Sequence, residues 1–571
     1  MKHKLIILTL LLNGIFLSNP AQSQDNNAQW LDQGWTSEER QYWHYLSLGQ
    51  ALAPVSWLQS LEVGKTQTLF LDREYLGRLG VLYDDKNSKN PLGLPIGFAV
   101  APQSSPVSGY FGLTCAACHT GQISYKGKQI KYDGGSVNFD IYTILGDFFE
   151  SLAITINDKS KWDRFVKRVQ SIEKISENDL REKVNNALKE IIWATNATEK
   201  SPGTYVIAGP GRADAFNRIG NYIFGQRLLV SSNYYQSNAP SNYPPLWNIW
   251  KFNWVHYNAS FTQPMARNIL QVLGNNGTTN FIDGHGVPVK GNDRWKTSVD
   301  FVGASEMEAG IRKLSPPRWP ENILGSVDQA KAKRGKILFE KNCAGCHSPR
   351  PIRPPDNLKA ELAVALVPLN IIGTDPAHAK TFAERRFDIS KLTGNTKPMS
   401  APDGLTFAIN KIENYAYEKL NLDKEKRNQM NGFGRENLIR APLAYKARTL
   451  EAIWASPPYL HNGSVPNIFE LLSPVSERSK QFWTGTYEYD PVKLGYLTDH
   501  SNGNYFLFDT SISGNQNIGH EFSDGKGPGI IGRKFSVNER YDLIEYLKVI
   551  DQDPPKSHSA VSYDWEWVNR K

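Results

Sequence analysis

The chain has 571 residues, 21% of them charged, and a formal net charge of +8. This length predicts more than one domain. The mildly basic balance, without a dense stripe of Lys and Arg, excludes nucleic-acid binding as the function. With 45 Gly and 33 Pro, the composition favours a mainly α-helical fold with long irregular loops and few short strands.

Residues 1–23 have the pattern of a secretory signal peptide. A basic start at Met1–Lys4 precedes the apolar run Leu5–Leu17, and Ala21–Ser23 forms a small-x-small cleavage site. The run is too short to span a bilayer, and no later segment approaches about 18 uninterrupted apolar residues. We therefore expect cleavage near Ser23, export to the bacterial periplasm or the medium, and no integral membrane segment.

The next segments alternate helices with loops. Ser37 is predicted to cap a helix within residues 34–80. Ile141–Ile154 has the spacing of an amphipathic helix, and Lys159–Trp193 predicts two surface helices. Residues 230–300 combine loop-forming residues with many Trp, a density that polar linkers do not carry, so they predict ordered loops around a site.

All 4 cysteines of the chain belong to two C-x-x-C-H motifs. This is the motif of covalent haem c attachment, in which the histidine ligates the iron from one side. A zinc knuckle or a thioredoxin-type pair is the alternative for a lone C-x-x-C, but a histidine follows directly both times. We predict two covalently bound haem c groups, held by Cys115, Cys118, His119, Cys343, Cys346 and His347.

A boundary near residues 314–325 is predicted to separate an N-terminal haem domain, residues 24–314, from a C-terminal cytochrome c-like domain, residues 315–571. In the second domain, helix Asp328–Asn342 places Gly335, Phe339 and Cys343 at intervals of four on one face, as at the start of cytochrome c domains. Ser536–Ile550 begins with a capping box and suits the final helix of that fold.

The group opposite each proximal histidine decides the chemistry of the iron. His520 lies just before the final helix, where single-haem cytochromes supply their sixth ligand, and no methionine lies beyond Met430. We predict His520 as the sixth ligand of the second iron. His461 is the alternative, although we favour it as a hydrogen-bonding residue that orients the haem. No ligand is comparably placed for the first iron, which predicts an open or weakly ligated position there. His256 lies in the Trp-rich loop, but a neutral loop histidine is more common than a ligand.

The order of the two motifs, with Tyr445–Leu450, His461–Pro466 and Gly519–Phe522, resembles the di-haem cytochrome c peroxidase superfamily, and most closely its rubber-oxygenase (RoxA-like) branch. The resemblance implies two cytochrome c-like haem domains, with a reactive N-terminal haem and a six-coordinate electron-transfer haem at the C-terminal end. Peroxidases of this superfamily usually carry methionine where this chain has His520, which disfavours a plain peroxidase cycle. The chain is shorter than rubber oxygenases, so cleavage of polyisoprene is not implied. In the block at residues 211–221, which also fits this branch, we expect Arg212 and Asp214 to form a structural ion pair.

The branch also implies an aromatic, apolar pocket at the first haem, and Pro245–Pro264 resembles its wall. Trp247 and Phe261 are our candidates for residues near the first iron or between the haems, with core packing as the alternative for each. The expected function is an exported di-haem c oxidoreductase acting on dioxygen or hydrogen peroxide, with oxidative cleavage of an apolar organic substrate slightly favoured. Peroxide reduction and a non-enzymatic electron carrier are the rivals, and a small redox protein is the expected electron donor.

Overall fold

The computed structural model describes residues 28–351, 361–499 and 505–555. The predicted signal peptide lies outside these ranges. The structure is about 41% helical and 15% strand, so the fold is mixed and the strands are more numerous than the sequence predicted. None of the helices in the described ranges combines the length and the apolar character needed to cross a membrane.

Ten helices with eight or more residues, and two short helices that carry the C-x-x-C-H motifs, position the candidate sites. They are α1 Ser37–Tyr45, α2 Cys115–His119, α3 Ile141–Asn157, α4 Lys159–Ile172, α5 Glu177–Glu199, α6 Pro264–Gly274, α7 Phe301–Lys313, α8 Gln329–Asn342, α9 Ala344–His347, α10 Ala377–Glu384, α11 Ala401–Lys419 and α12 Val537–Leu547.

The strands are short and pair mostly as separate two-stranded or three-stranded sheets. Those of four or more residues in the described ranges are β1 Tyr110–Leu113, β2 Thr120–Tyr125, β3 Lys128–Asp133, β4 Ala365–Pro368, β5 Ala444–Ala447, β6 Gln481–Thr484 and β7 Phe506–Asp509. Strands β2 and β3 form an antiparallel hairpin in which Thr120 pairs with Asp133. Strands β4 and β5 are also antiparallel, and β6 pairs with β7.

Most predicted helices are confirmed, with shifts at their ends. The helix predicted from Ile141 is α3, and the stretch predicted as two surface helices forms α4 and α5. The capping box at Ser536 is present before α12. At α1 the cap is Thr36, one residue before the predicted Ser37, because its hydroxyl accepts from the Glu39 backbone N–H at 3.1 Å.

One large apolar core contains residues from both predicted domains. The ring of Tyr132 lies 6.2 Å from that of Trp454, measured between centroids. The backbone N–H of Ser136 donates to the carbonyl of Ala455 at 3.2 Å. The segment after the first motif is therefore packed directly against the C-terminal part of the chain.

A buried carboxyl group in α11 makes the stability of this core dependent on pH. Glu413 is 6% exposed, its Oε1 has no hydrogen-bond partner among the described residues, and burial raises its pKa to about 8. A raised pKa means that the native state holds the proton more tightly, so stability is full below about pH 4.5 and falls as pH rises through 8.

We therefore expect Glu413→Gln to be more stable than the wild type at pH 8 by roughly 3 to 5 kcal/mol, and similar to it near pH 4.5. Thermal unfolding followed by circular dichroism between pH 4.5 and 8 measures the difference. Glu418→Gln, at an exposed position of the same helix, is the control and should follow the wild type. Parallel pH profiles for Glu413→Gln and wild type would contradict the expectation.

Candidate haem sites

Helix α8 delivers the second C-x-x-C-H motif to the interior. Asp328 caps the helix by accepting from the backbone N–H groups of Ala330 and Lys331. A Cβ on Gly335 would lie 1.9 Å from the carbonyl oxygen of Asp542, so the backbones of α8 and α12 touch there. Gly335 therefore lies on the packed face of α8, as its spacing from Phe339 and Cys343 predicted.

The substitution Gly335→Ala has two opposite effects on stability, a gain in helix propensity and a loss from overpacking. In an open helix position alanine is about 1 kcal/mol more favourable than glycine, but here the methyl group has no space and overpacking costs about 1 to 3 kcal/mol. We expect net destabilisation, measured as a lower midpoint of thermal unfolding. Gly310→Ala in α7 is the control, because its Cβ would meet only Trp43 at 3.8 Å. A Gly335→Ala protein as stable as Gly310→Ala would refute the close contact.

The residues of the second motif share one cavity with His520. The cavity has a volume of about 520 Å³, and its lining includes Cys343, Cys346, His347 and His520. Nδ1 of His347 lies 2.7 Å from the carbonyl oxygen of Arg448. This hydrogen bond makes Nδ1 the donor and leaves Nε2 free as a metal ligand, which is the usual way in which a second partner orients a ligating histidine.

His347 and His520 have the separation of two ligands on one iron. Their ring centroids are 6.1 Å apart. A metal–imidazole bond is about 2.0 Å long and a ring nitrogen lies about 1.2 Å from its centroid, so two imidazoles that bind one metal from opposite sides would have centroids about 6.4 Å apart. Burial, with help from His347 and Arg478, lowers the pKa of His520 to about 3, which keeps the ring neutral as ligation requires. These residues fit a haem c iron.

The backbone around His520 is held in an unusual conformation. His520 has φ +43°, its N–H donates to the carbonyl of Ile372 at 2.8 Å, and Arg478 donates to its carbonyl at 2.9 Å. A Cβ on Gly519 would lie 2.2 Å from the backbone of Gly373. Only glycine allows that approach. The close packing at Gly519 and the hydrogen bonds of the His520 backbone hold this histidine where it lines the cavity.

The first motif lies between two strands. Helix α2 follows β1 and leads directly into β2. Burial raises the pKa of the free Cys115 thiol to about 11 and that of Cys118 to about 12. The ring of His119 contacts Tyr243 at 6.2 Å, its Nδ1 is buried without a hydrogen-bond partner among the described residues, and burial lowers its pKa to about 3.

A buried charge cluster supports the strand after the first motif. The carboxylate of Asp133 accepts from Thr120 at 3.0 Å, from Arg40 at 3.0 Å and from His44 at 2.8 Å. The other ring nitrogen of His44 lies 3.2 Å from Asp84. Burial acts to lower the pKa of His44, but Asp133 and Asp84 outweigh it and raise that pKa to about 9. Sequence reasoning missed this cluster, because no motif links residues so far apart in the chain.

Trp247 lies between the two motifs. Its indole N–H donates to the carbonyl of Asp133 at 2.9 Å, at the end of the hairpin that follows His119, and its ring lines the cavity of the second motif. Phe261 is buried and its ring is 4.6 Å from that of His256, which lines the same cavity. Trp247 therefore lies on the cavity wall, whereas the ring of His256 separates Phe261 from the cavity.

His461 lines the cavity at a distance from the His347–His520 pair. Its ring stacks on Tyr445 at 4.0 Å and lies 6.0 Å from the ring of His378. Burial, with smaller effects from His378 and Arg212, lowers its pKa well below the ordinary value. His461 is thus a neutral ring on the cavity wall.

The prediction of an ion pair between Arg212 and Asp214 is wrong. Arg212 donates to the carbonyl of Asn462 at 3.0 Å and to the side chain of Asn515 at 2.9 Å. Asp214 instead caps the short helix that follows it, accepting from the backbone N–H of Asn217 at 3.1 Å. A backbone carbonyl and an asparagine side chain therefore accept from Arg212, and Asp214 accepts from the first turn of a helix, so the two charges are not paired with each other.

Comparison with known proteins places part of this site in a protein class. Residues 444–484, which include Arg448 and His461, match the family model for RoxA-like, cytochrome c-like proteins. A cytochrome c-like domain implies haem c and an oxidoreductase or electron-transfer role. That class agrees with the positions of His347 and His520, whose spacing fits two ligands of one iron.

The relatives found over longer stretches are uncharacterized. The chain is 37% identical to the uncharacterized protein y4iJ of Sinorhizobium fredii (strain NBRC 101917 / NGR234) over 576 residues, covering 93% of this chain and 94% of the relative. It is 26% identical to the uncharacterized protein y4iM of the same strain over 326 residues, covering 53% of this chain and 63% of that protein. The chain belongs to the family of y4iJ.

Proposed function

We propose that this protein is an exported di-haem c oxidoreductase that acts on dioxygen or peroxide at the site of Cys115, Cys118 and His119. The second site, at Cys343–His347 with His520, serves electron transfer. The observation that carries the proposal is the difference between the two proximal histidines. His347 faces a second imidazole at 6.1 Å, whereas the ring contact found for His119 is Tyr243.

When bound, the haem supplies an iron that transfers electrons where both axial positions are filled and binds small oxidants where one is open. The protein contributes ligation and exclusion of water. His347, oriented by Arg448, and His520, held by Arg478, close both faces of the second site. Trp247 connects the wall of that site with the hairpin that follows the first motif.

Oxidation of an apolar organic substrate is the form of this chemistry that we favour. Phe216 stacks on Phe382 at 3.9 Å, and Phe261 lies 6.4 Å from Phe382, so aromatic rings form the layer behind His256. Besides burial, Arg267 lowers the pKa of both His256 and His119, which supports a position of this layer near the first site as well. Such a layer suits an apolar substrate, because it offers contact area and excludes water.

Peroxide reduction is the second candidate, and His256 is the observation that favours it. Burial, with Arg267, His378 and Lys446, lowers the pKa of His256 to about 3, and Arg267 also lowers the pKa of His119 in the first motif. His256 is therefore a neutral imidazole with a nitrogen that can accept a proton from peroxide. Its low pKa makes it a weak base, which ranks this reaction second.

Ligand binding to the full holoprotein tests the proposal. Pyridine haemochrome analysis should give two haems per chain, and one after Cys115→Ser/Cys118→Ser. Carbon monoxide added to the reduced protein should shift one haem band, and that shift should disappear in the double variant. Binding at neither haem would sink the proposal in favour of an electron carrier. Oxygen uptake with a soluble alkene, compared with peroxide-dependent oxidation of a reduced cytochrome, then separates the two reactions.

A further inference from the structure

Two cations line the cavity of the second motif, and neither forms an ion pair with a carboxylate among the described residues. They are Lys446, in β5, and Arg448, just after this strand. The ammonium group of Lys446 lies 5.3 Å from the centre of the Phe252 ring.

The electrostatic surroundings of Lys446 are positive. Burial, together with the charges of Arg448 and Arg267, lowers its pKa to about 7. Burial also lowers the pKa of Arg448, and Glu451 offsets only part of this effect. Buried charges are paired in native proteins, because an unpaired one loses its hydration without compensation. A pair of cavity cations therefore calls for an anionic occupant.

The chemistry of the site identifies that occupant. A haem carries two propionate carboxylates, and Lys446 and Arg448 offer two cations on the wall that also carries Cys343, Cys346 and His347. Arg448 is tied to the same group from its backbone, because its carbonyl oxygen holds Nδ1 of His347 at 2.7 Å. The guanidinium fork of arginine matches a carboxylate, and lysine supplies a point charge.

We infer that Lys446 and Arg448 form a carboxylate-binding pair that holds the propionates of the haem attached at Cys343 and Cys346. The inference rests on the second haem of the proposed function but not on any activity at the first. Arg448 thereby positions the haem twice, through its carbonyl on the proximal histidine and through its side chain on a propionate. Both cations also favour the reduced iron, since each offsets negative charge next to it.

A redox titration of the full holoprotein tests the pair. We expect two reduction steps, with the step of the low-spin haem moved to more negative potential in Lys446→Met and in Arg448→Met. Lys446→Arg and Arg448→Lys keep the charge and should stay close to the wild type. Lys493→Met, at an exposed position, is the control and should move neither step. Unchanged steps in both methionine variants, or a shift confined to the other haem, would overturn the inference.

Two further arms keep the result unambiguous. Sodium butyrate, added to the wild type, should leave the low-spin band unchanged, because the propionates already occupy the cations. A butyrate-induced shift that is lost in Lys446→Met would assign the pair to a free organic acid instead. Haem content and circular dichroism report whether each variant matures; if Lys446→Met does not, the comparison of Arg448→Met with Arg448→Lys decides. If carbon monoxide binds to neither haem, the proposed function is contradicted. The redox titration would still test the role of Lys446 and Arg448, because it measures the second haem.

Discussion

His520→Ala is expected to convert the second haem from a closed to an open site. Removal of the imidazole 6.1 Å from His347 takes away the ligand opposite it, while Cys343 and Cys346 keep the haem attached. We expect loss of the low-spin signal of this haem and an increase in carbon monoxide binding from one to two equivalents per chain. Electron paramagnetic resonance and carbon monoxide titration of the holoprotein measure the two effects.

His461→Ala is the matched control, because both histidines line the same cavity and both are neutral rings. It should retain the low-spin signal. The opposite outcome, loss of the signal in His461→Ala and its retention in His520→Ala, would reverse the ligand assignment. His520→Met gives an intermediate test: thioether ligation should preserve the low-spin state and raise the reduction potential, as in Met/His cytochromes.

Much of the second site was predictable, because its parts are encoded by local patterns. The spacing of Gly335, Phe339 and Cys343 required a helix with one packed face, and α8 has it. His520 was found by its position before a capped final helix. The hydrogen bond between His347 and the backbone carbonyl of Arg448 was not predictable. Every residue has a backbone carbonyl, so the sequence does not show which one is used, and only the tertiary fold brings strand β5 close to the motif.

The first site shows the limit of such patterns. The hairpin of β2 and β3 was missed, and with it the pairing of Thr120 with Asp133. The prediction for Arg212 and Asp214 was also wrong, because it relied on their closeness in sequence. Arg212 instead donates to a backbone carbonyl, and Asp214 caps a helix. Interactions that join residues about a hundred positions apart depend on topology, which short motifs do not specify.

One of these long-range interactions is the buried cluster around Asp133, and its loss should have a large effect on stability. Asp133→Asn leaves Arg40 and His44 without the carboxylate that accepts from them at 3.0 and 2.8 Å. Breaking a buried pair by removing one partner costs about 3 to 5 kcal/mol. We expect a loss of this size in the free energy of unfolding at pH 7, measured by urea titration of the holoprotein. Asp163→Asn, which removes an exposed pair with Lys159, should cost less than about 1 kcal/mol.

The same cluster predicts how stability changes at alkaline pH. His44 has a folded pKa of about 9 against an ordinary value of 6.5, so its contribution is complete below pH 6.5 and disappears as pH rises through 9. The difference in pKa corresponds to about 3 kcal/mol. His44→Gln should lack this alkaline decline, and its stability should approach that of the wild type above pH 9. Parallel pH profiles for the two proteins would show that His44 is neutral in the native state. The hairpin would then depend on hydrogen bonds to Asp133, with no imidazolium beneath the first motif.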